Sequence, residues 1–139
     1  MRWYRELPHS SDALMEAYGR TLAEAFANAA RAMMSVMLDV RRVRGSVEGS
    51  CELEGEDAEG LLYGWLECVL DRFQVERVAY ARFSVDLDEG RWRLRASMRG
   101  EPYDPSRHGM GREVKAVTYH MMYVGECGGL RCVRFLLDL

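Results

Sequence analysis

Apolar residues return along the chain with two different periods, and each change of period marks an element. Leu22, Ala25, Phe26, Ala29, Ala30, Met33 and Met37 recur every third or fourth position, one continuous helical stripe. Thr21-Leu22-Ala23-Glu24 in front of it has the form of a capping box, with hydroxyl and carboxylate satisfying orphan amides reciprocally. The pattern predicts a helix over residues 22–38. A second helix starts after Asp57 as N-cap, with Leu61, Leu62, Trp65, Leu66, Val69, Leu70 and Phe73 forming its apolar face. Acids in its first turn suit the helix dipole.

Elsewhere the period is two. Residues 2–7, 13–18, 47–53, 77–87, 92–99, 114–124 and 130–137 read as strands, the third of them polar enough for a sheet edge. Asp88-Glu89-Gly90 supplies one short hairpin turn and residues 125–129 another. The alternation is clearest on 91–99. Trp92, Leu94, Ala96 and Met98 point one way, and Arg91, Arg93, Arg95 and Arg99 the other. Residues 100–112 form a loop rich in Gly, Pro and polar residues, near the length at which loops are usually functional or mobile. The expected fold is α+β, one domain over residues 1–139. A largely antiparallel or mixed sheet of about six to seven strands carries two main helices packed on it.

Composition narrows the function. With 139 residues, 48% apolar and 29% charged, the chain can bury a core without a metal or disulfide, and disorder is excluded. No apolar run spans a membrane and the N-terminus lacks the apolar segment of a signal peptide, so a soluble, cytoplasmic protein is expected. The net charge of −3 argues against a dedicated nucleic-acid binder. That average hides an asymmetry. Residues 46–71 hold eight acids and no Lys or Arg, while eighteen of the nineteen basic residues are Arg and the other is Lys115. Cys51, Cys68, Cys127 and Cys132 have no zinc-ribbon spacing, and the absence of a secretory signal predicts reduced thiols. Cys127 and Cys132 flank a turn across which they could pair.

Phosphate-loop, dinucleotide, zinc-protease and serine-hydrolase signatures are missing. His9-Ser10-Ser11-Asp12 sets triad residue types side by side, but neighbours in an extended chain point in alternate directions and cannot form a relay. Their simpler role is to cap a turn. The ending Phe135-Leu136-Leu137-Asp138-Leu139 places a carboxylate beside the chain's terminal carboxylate; set against Asp12, these oxygens would suit a hard cation. Lys115, between Val114 and Ala116-Val117, reads as partly desolvated or snorkelling, at a site that wants a compact ammonium. His120 falls on the opposite face if that strand is regular.

Three landmarks in order, spanning essentially the whole length, resemble one family. Glu113-Val114-Lys115-Ala116-Val117-Thr118-Tyr119-His120 looks like the signature of archease. His9-Ser10-Ser11-Asp12, followed by Ala17-Tyr18-Gly19-Arg20-Thr21-Leu22 and Glu24-Ala25-Phe26, resembles its second landmark, and Phe135–Leu139 its third. The chain departs from the family pattern at Pro8, where an acid is usual, and at Arg112. The resemblance implies a non-catalytic accessory protein that promotes guanylylation and multiple turnover of an RtcB-type tRNA-splicing RNA ligase, meeting tRNA only through it. It further implies a divalent metal site at Asp12, Asp138 and Leu139, calcium being the usual ion and magnesium or manganese alternatives. Lys115 corresponds to the lysine needed for activation, and His9 and His120 are secondary candidates. Competing readings are a metal-dependent phosphohydrolase or nucleotidyl enzyme with His9 as base, and a general chaperone whose acidic 46–71 stretch engages basic clients. The arginines of 91–99 offer an RNA face or a solvated strand face.

Overall fold

Every long element predicted from periodicity is present in the computed structural model, which describes residues 2–139. Strands β1 (Tyr4–Leu7) and β2 (Ala13–Gly19) lead into helix α1 (Leu22–Met37). A 3-10 turn, Val40–Arg42, precedes β3 (Val47–Glu54) and helix α2 (Ala58–Glu76). Then follow β4 (Val78–Asp88), β5 (Arg93–Pro102), the single turn α3 (Pro105–His108), β6 (Ala116–Cys127) and β7 (Leu130–Asp138). The α+β class and the antiparallel pairing hold. The strands, however, divide into two sheets, β1-β2-β7-β6 and β3-β5-β4, with α1 and α2 each touching both. Period-two alternation tells which side of a strand is buried but not which strand lies beside it, so one sheet and two look alike in sequence.

The helices are stopped and started as the sequence dictates. Thr21 accepts from the Glu24 N–H, while the Glu24 carboxylate reaches the Arg20 N–H, one residue earlier than a strict capping box. Asp57 caps α2 by accepting from Gly60 N–H. Between the sheets Trp65 is wholly buried, donating its indole N–H to Phe26 O at 2.9 Å and so tying α2 to α1. Phe26, Phe135, Met33 and Met34 fill the same core.

Two loops deviate from expectation. Residues 100–102 still belong to β5, where Gly100 is required: a Cβ there would sit 2.0 Å from Ala79 O. Residues 105–108 form α3 rather than open loop. The expectation of reduced thiols is also corrected. Cys51 pairs with Cys68 and Cys127 with Cys132, at Cα separations of 6.7 and 5.5 Å. The first bond exists because α2 lies over β3; the second joins neighbours across the β6–β7 ladder. Among the described residues, no helix is long and apolar enough to cross a membrane.

Candidate functional site

Three strand ends meet at one end of the four-stranded sheet. β2 and β7 pair with Ala13 opposite Leu137 and Leu14 opposite Leu136, so one further step sets Asp12 opposite Asp138. On the other side of β7, Ala116 pairs with Asp138 and the Lys115 N–H donates to Asp138 O at 2.7 Å. Asp12 thus comes together with Lys115, Asp138 and Leu139, all more than a hundred residues further along the chain. Directly opposed residues of an antiparallel pair hold their Cβ atoms about 4.5–5.5 Å apart, a span that two carboxylates can close on one cation. By the alternation of the pleat, Asp138 lies on the outer side with Leu136, while Asp12 and Lys115 stand just outside β2 and β6.

Asp12 is half-buried and Asp138 exposed, and neither joins an ion pair with another described residue. Lys115 is exposed as well, in line with the snorkelling alternative rather than with partial desolvation. Its position is nevertheless fixed by the main chain. Beyond the bond to Asp138, the Gln74 side-chain amide at the end of α2 donates to Val114 O at 3.1 Å and Lys115 O at 3.3 Å. Gln74 carried no sequence signal. The two carboxylates offer oxygen donors, which fit a hard divalent ion better than zinc.

Of the secondary candidates, His9 belongs to the same connection as Asp12, and His120 lies further along β6. His9 sits exposed in the β1–β2 connection. His120 lies where β6 slips register between Thr118 and Tyr123, with Met121 at φ 60°, so the regular alternation assumed for it fails. Its N–H donates to Thr118 Oγ1, and the adjacent Tyr119 stacks on Tyr63 with ring centroids 4.2 Å apart. Among the described residues, the group of three ligand side chains with metal-ligand proximity is Glu16 with Cys127 and Cys132. Its sulfurs are bonded to each other and cannot act as thiolate ligands.

Glu16 has another role. It is 2% exposed and accepts from Arg5, Arg134 and the Tyr18 hydroxyl. Burial pushes its pKa up, but bonds from Tyr18, Arg134 and Arg5 outweigh burial and hold the carboxyl below its usual range.

The arginines of β5 are neutralised across the sheet. Arg99 pairs with Glu48, Arg95 with Glu52 at 3.4 Å and Arg93 with Glu54 at 2.5 Å. Asp86 and Asp88 of β4 lie opposite Arg95 and Arg93 from the other side. Three of the four arginines read from 91–99 are therefore paired with three of the eight acids read from 46–71. This removes the basis for an RNA face on β5 and weakens the case for a chaperone face on β3.

Comparison with known proteins agrees with this architecture. Residues 4–139 match the model of the Archease protein family. A protein archease of Sulfurisphaera tokodaii is 35% identical over 139 residues, covering 100% of each chain. That of Pyrococcus furiosus is 39% identical over 126 residues, covering 89% of each. The solution structure of Methanobacterium thermoautotrophicum protein 1598 superposes with a TM-score of 0.86 at 37% identity over 100% of both chains.

Proposed function

Since the chain belongs to the archease family, we propose that it is an accessory protein activating an RtcB-type RNA ligase rather than a catalyst itself. The single observation that carries the reading is the convergence of Asp12, Asp138 and Lys115 on three adjoining strand ends. Asp12, Asp138 and Leu139 would hold a divalent cation, calcium by preference, with magnesium or manganese as alternatives. When bound, the ion supplies positive charge that lets an otherwise anionic tip approach nucleotide phosphates. The two aspartates would hold the ion at the sheet end, and Lys115 offers a compact ammonium beside them. Gln74 and the Asp138 carbonyl fix its backbone, so the ammonium reaches a phosphate or a ligase carboxylate from a set origin. The tip would thereby promote guanylylation of the ligase and its return to further turnovers, with tRNA met through the ligase.

The test is a tRNA-half joining reaction with limiting ligase and GTP, run with and without this protein, following the guanylylated ligase directly. A rise in guanylylation and in turnovers per ligase is expected. An unchanged rate at saturating protein overturns the reading. Nucleotide hydrolysis by the protein alone would favour the phosphohydrolase instead.

A further inference from the structure

A second charged site lies beyond the C-terminal end of α1. The 3-10 turn and the residues after it, together with β4 and α3, border a shallow, open pocket of about 510 Å³ lined by Arg41, Arg42, Val43, Arg44, Arg82 and Arg107. Five of its six lining residues are arginines, and no carboxylate lines it.

We propose that this pocket binds the phosphodiester backbone of a nucleic-acid strand. The choice of RNA as that strand rests on the ligase reading above; the pocket itself does not.

Charge is the first argument. The nearby acids already have their partners: Asp39 pairs with Arg41 and Arg42, and Glu101 with Arg107. With Asp104, which also faces Arg107, three carboxylates stand against five guanidiniums and leave positive charge in surplus. Among the described residues, the Arg44 and Arg82 side chains join no ion pair, and both are exposed. The arginines of β5 are matched by carboxylates, so the pocket differs in charge from the sheet face beside it.

Preorganisation is the second. Asp39 accepts from the Arg41 N–H at 3.1 Å, and buried Glu101 accepts from the Arg44 N–H at 3.0 Å. Glu101 also bonds the wholly buried His108 at 2.7 Å, whose Nδ1 accepts from the Asp104 N–H. These bonds hold its carboxyl below the usual range, the Arg44 N–H contributing most and His108 next. The acids therefore fix the backbone that presents the arginines.

Chemistry decides between partners. Guanidinium forks match phosphate oxygens bidentately. A protein partner would look for apolar anchors at the centre of its contact, and Val43 is the sole apolar residue lining the pocket. The loop carrying Arg107 continues through Gly111, which donates to Met37 O at 2.7 Å, and on to Lys115. Pocket and tip are thus joined by one short, anchored segment.

The experiment is fluorescence anisotropy of a labelled single-stranded RNA oligonucleotide with the intact protein alone, in 50 to 200 mM salt. Three engaged phosphates give a log–log salt slope of about −2, an affinity loss of about twentyfold over that range. Arg44→Ser with Arg82→Ser should weaken binding at 50 mM by about tenfold and flatten the slope to about −0.7. Arg95→Ser, which removes an arginine already paired with Glu52, should change neither. Equal melting temperatures would show that the double variant remains folded. No binding at 50 mM, or a double variant that binds like wild type, overturns the proposal. Preferential binding of poly-glutamate would also overturn it and assign the pocket to an acidic protein. The ligase is absent throughout, so failure here leaves the activation reading standing, and failure of activation leaves this result readable.

Discussion

Replacing Glu16 by Gln keeps the shape of a side chain surrounded wholly by donors. Its Oε1 accepts from Arg5 at 3.1 and 3.0 Å and from the Tyr18 hydroxyl; its Oε2 accepts from Arg134 at 3.0 and 2.6 Å. The amide retains one acceptor and turns two N–H groups toward a guanidinium fork. Breaking a fully buried ion pair costs about 3–5 kcal/mol because a charge is stranded. Here the stranded groups can recover water, since the side chains of Arg5 and Arg134 are 60% and 34% exposed. The expected loss is therefore smaller, about 2 kcal/mol at neutral pH. For a domain this size that is a fall of about 6–10 °C in melting temperature. The pH dependence supplies an independent sign. Because the folded carboxyl titrates below its ordinary value, its stabilisation is fully present above the ordinary carboxylate range and fades as pH falls through the depressed value. The Gln variant lacks that group, so the gap between the two proteins should narrow in acid. Urea unfolding at pH 7 and at successively lower pH measures both. A loss below about 0.5 kcal/mol, or a gap that stays constant into acid, would refute the argument that Glu16 organises this face.

Lys115→Ala should leave the melting temperature nearly unchanged and abolish ligase stimulation, and Lys115→Arg should lose much of it, because the wider guanidinium is misplaced; full stimulation by the Ala variant would remove Lys115 from the site. Asp12→Asn and Asp138→Asn should each erase most of the thermal stabilisation by calcium, about 2.7 kcal/mol at a hundredfold excess over Kd, and the double change should add little. Identical wild-type melts in calcium and chelator would sink that site. Reducing the Cys51–Cys68 bond, which spans 17 residues, should cost about 3 kcal/mol. The Cys127–Cys132 bond closes a span the hairpin already closes, so its loss should cost less; a melting temperature indifferent to reductant would contradict both.

What the sequence disclosed depended on the range of the interaction. The α1 and α2 stripes are local, and Leu61, Trp65, Val69 and Phe73 are buried as their spacing requires. The outward arginines of β5 were equally legible as a face. Their neutralisation was not, because it depends on Glu54 meeting Arg93 and Glu48 meeting Arg99, a register set by the whole sheet. Cys51 and Cys68 are paired by the docking of α2 on β3, which no spacing rule contains. Asp12 and Asp138 were candidates by residue type and resemblance; their juxtaposition follows from the β2–β7 ladder. Arg44 and Arg82 drew no notice in sequence, since they gather only when the turn after α1 meets β4.

The order of charges across β3, β5 and β4 bears on how the protein behaves in a crowded solution. The central strand carries Arg93, Arg95 and Arg99, whereas its outer neighbours carry Glu48, Glu52 and Glu54 on one side and Asp86 and Asp88 on the other. Both rims of this small sheet expose backbone groups that another chain could extend. An incoming copy that met β3 would bring its own acidic rim, setting carboxylate against carboxylate at Glu48, Glu52 and Glu54. The attraction that closes the sheet internally is thus spent within three strands, and the layer ends where it stands instead of templating a growing ribbon.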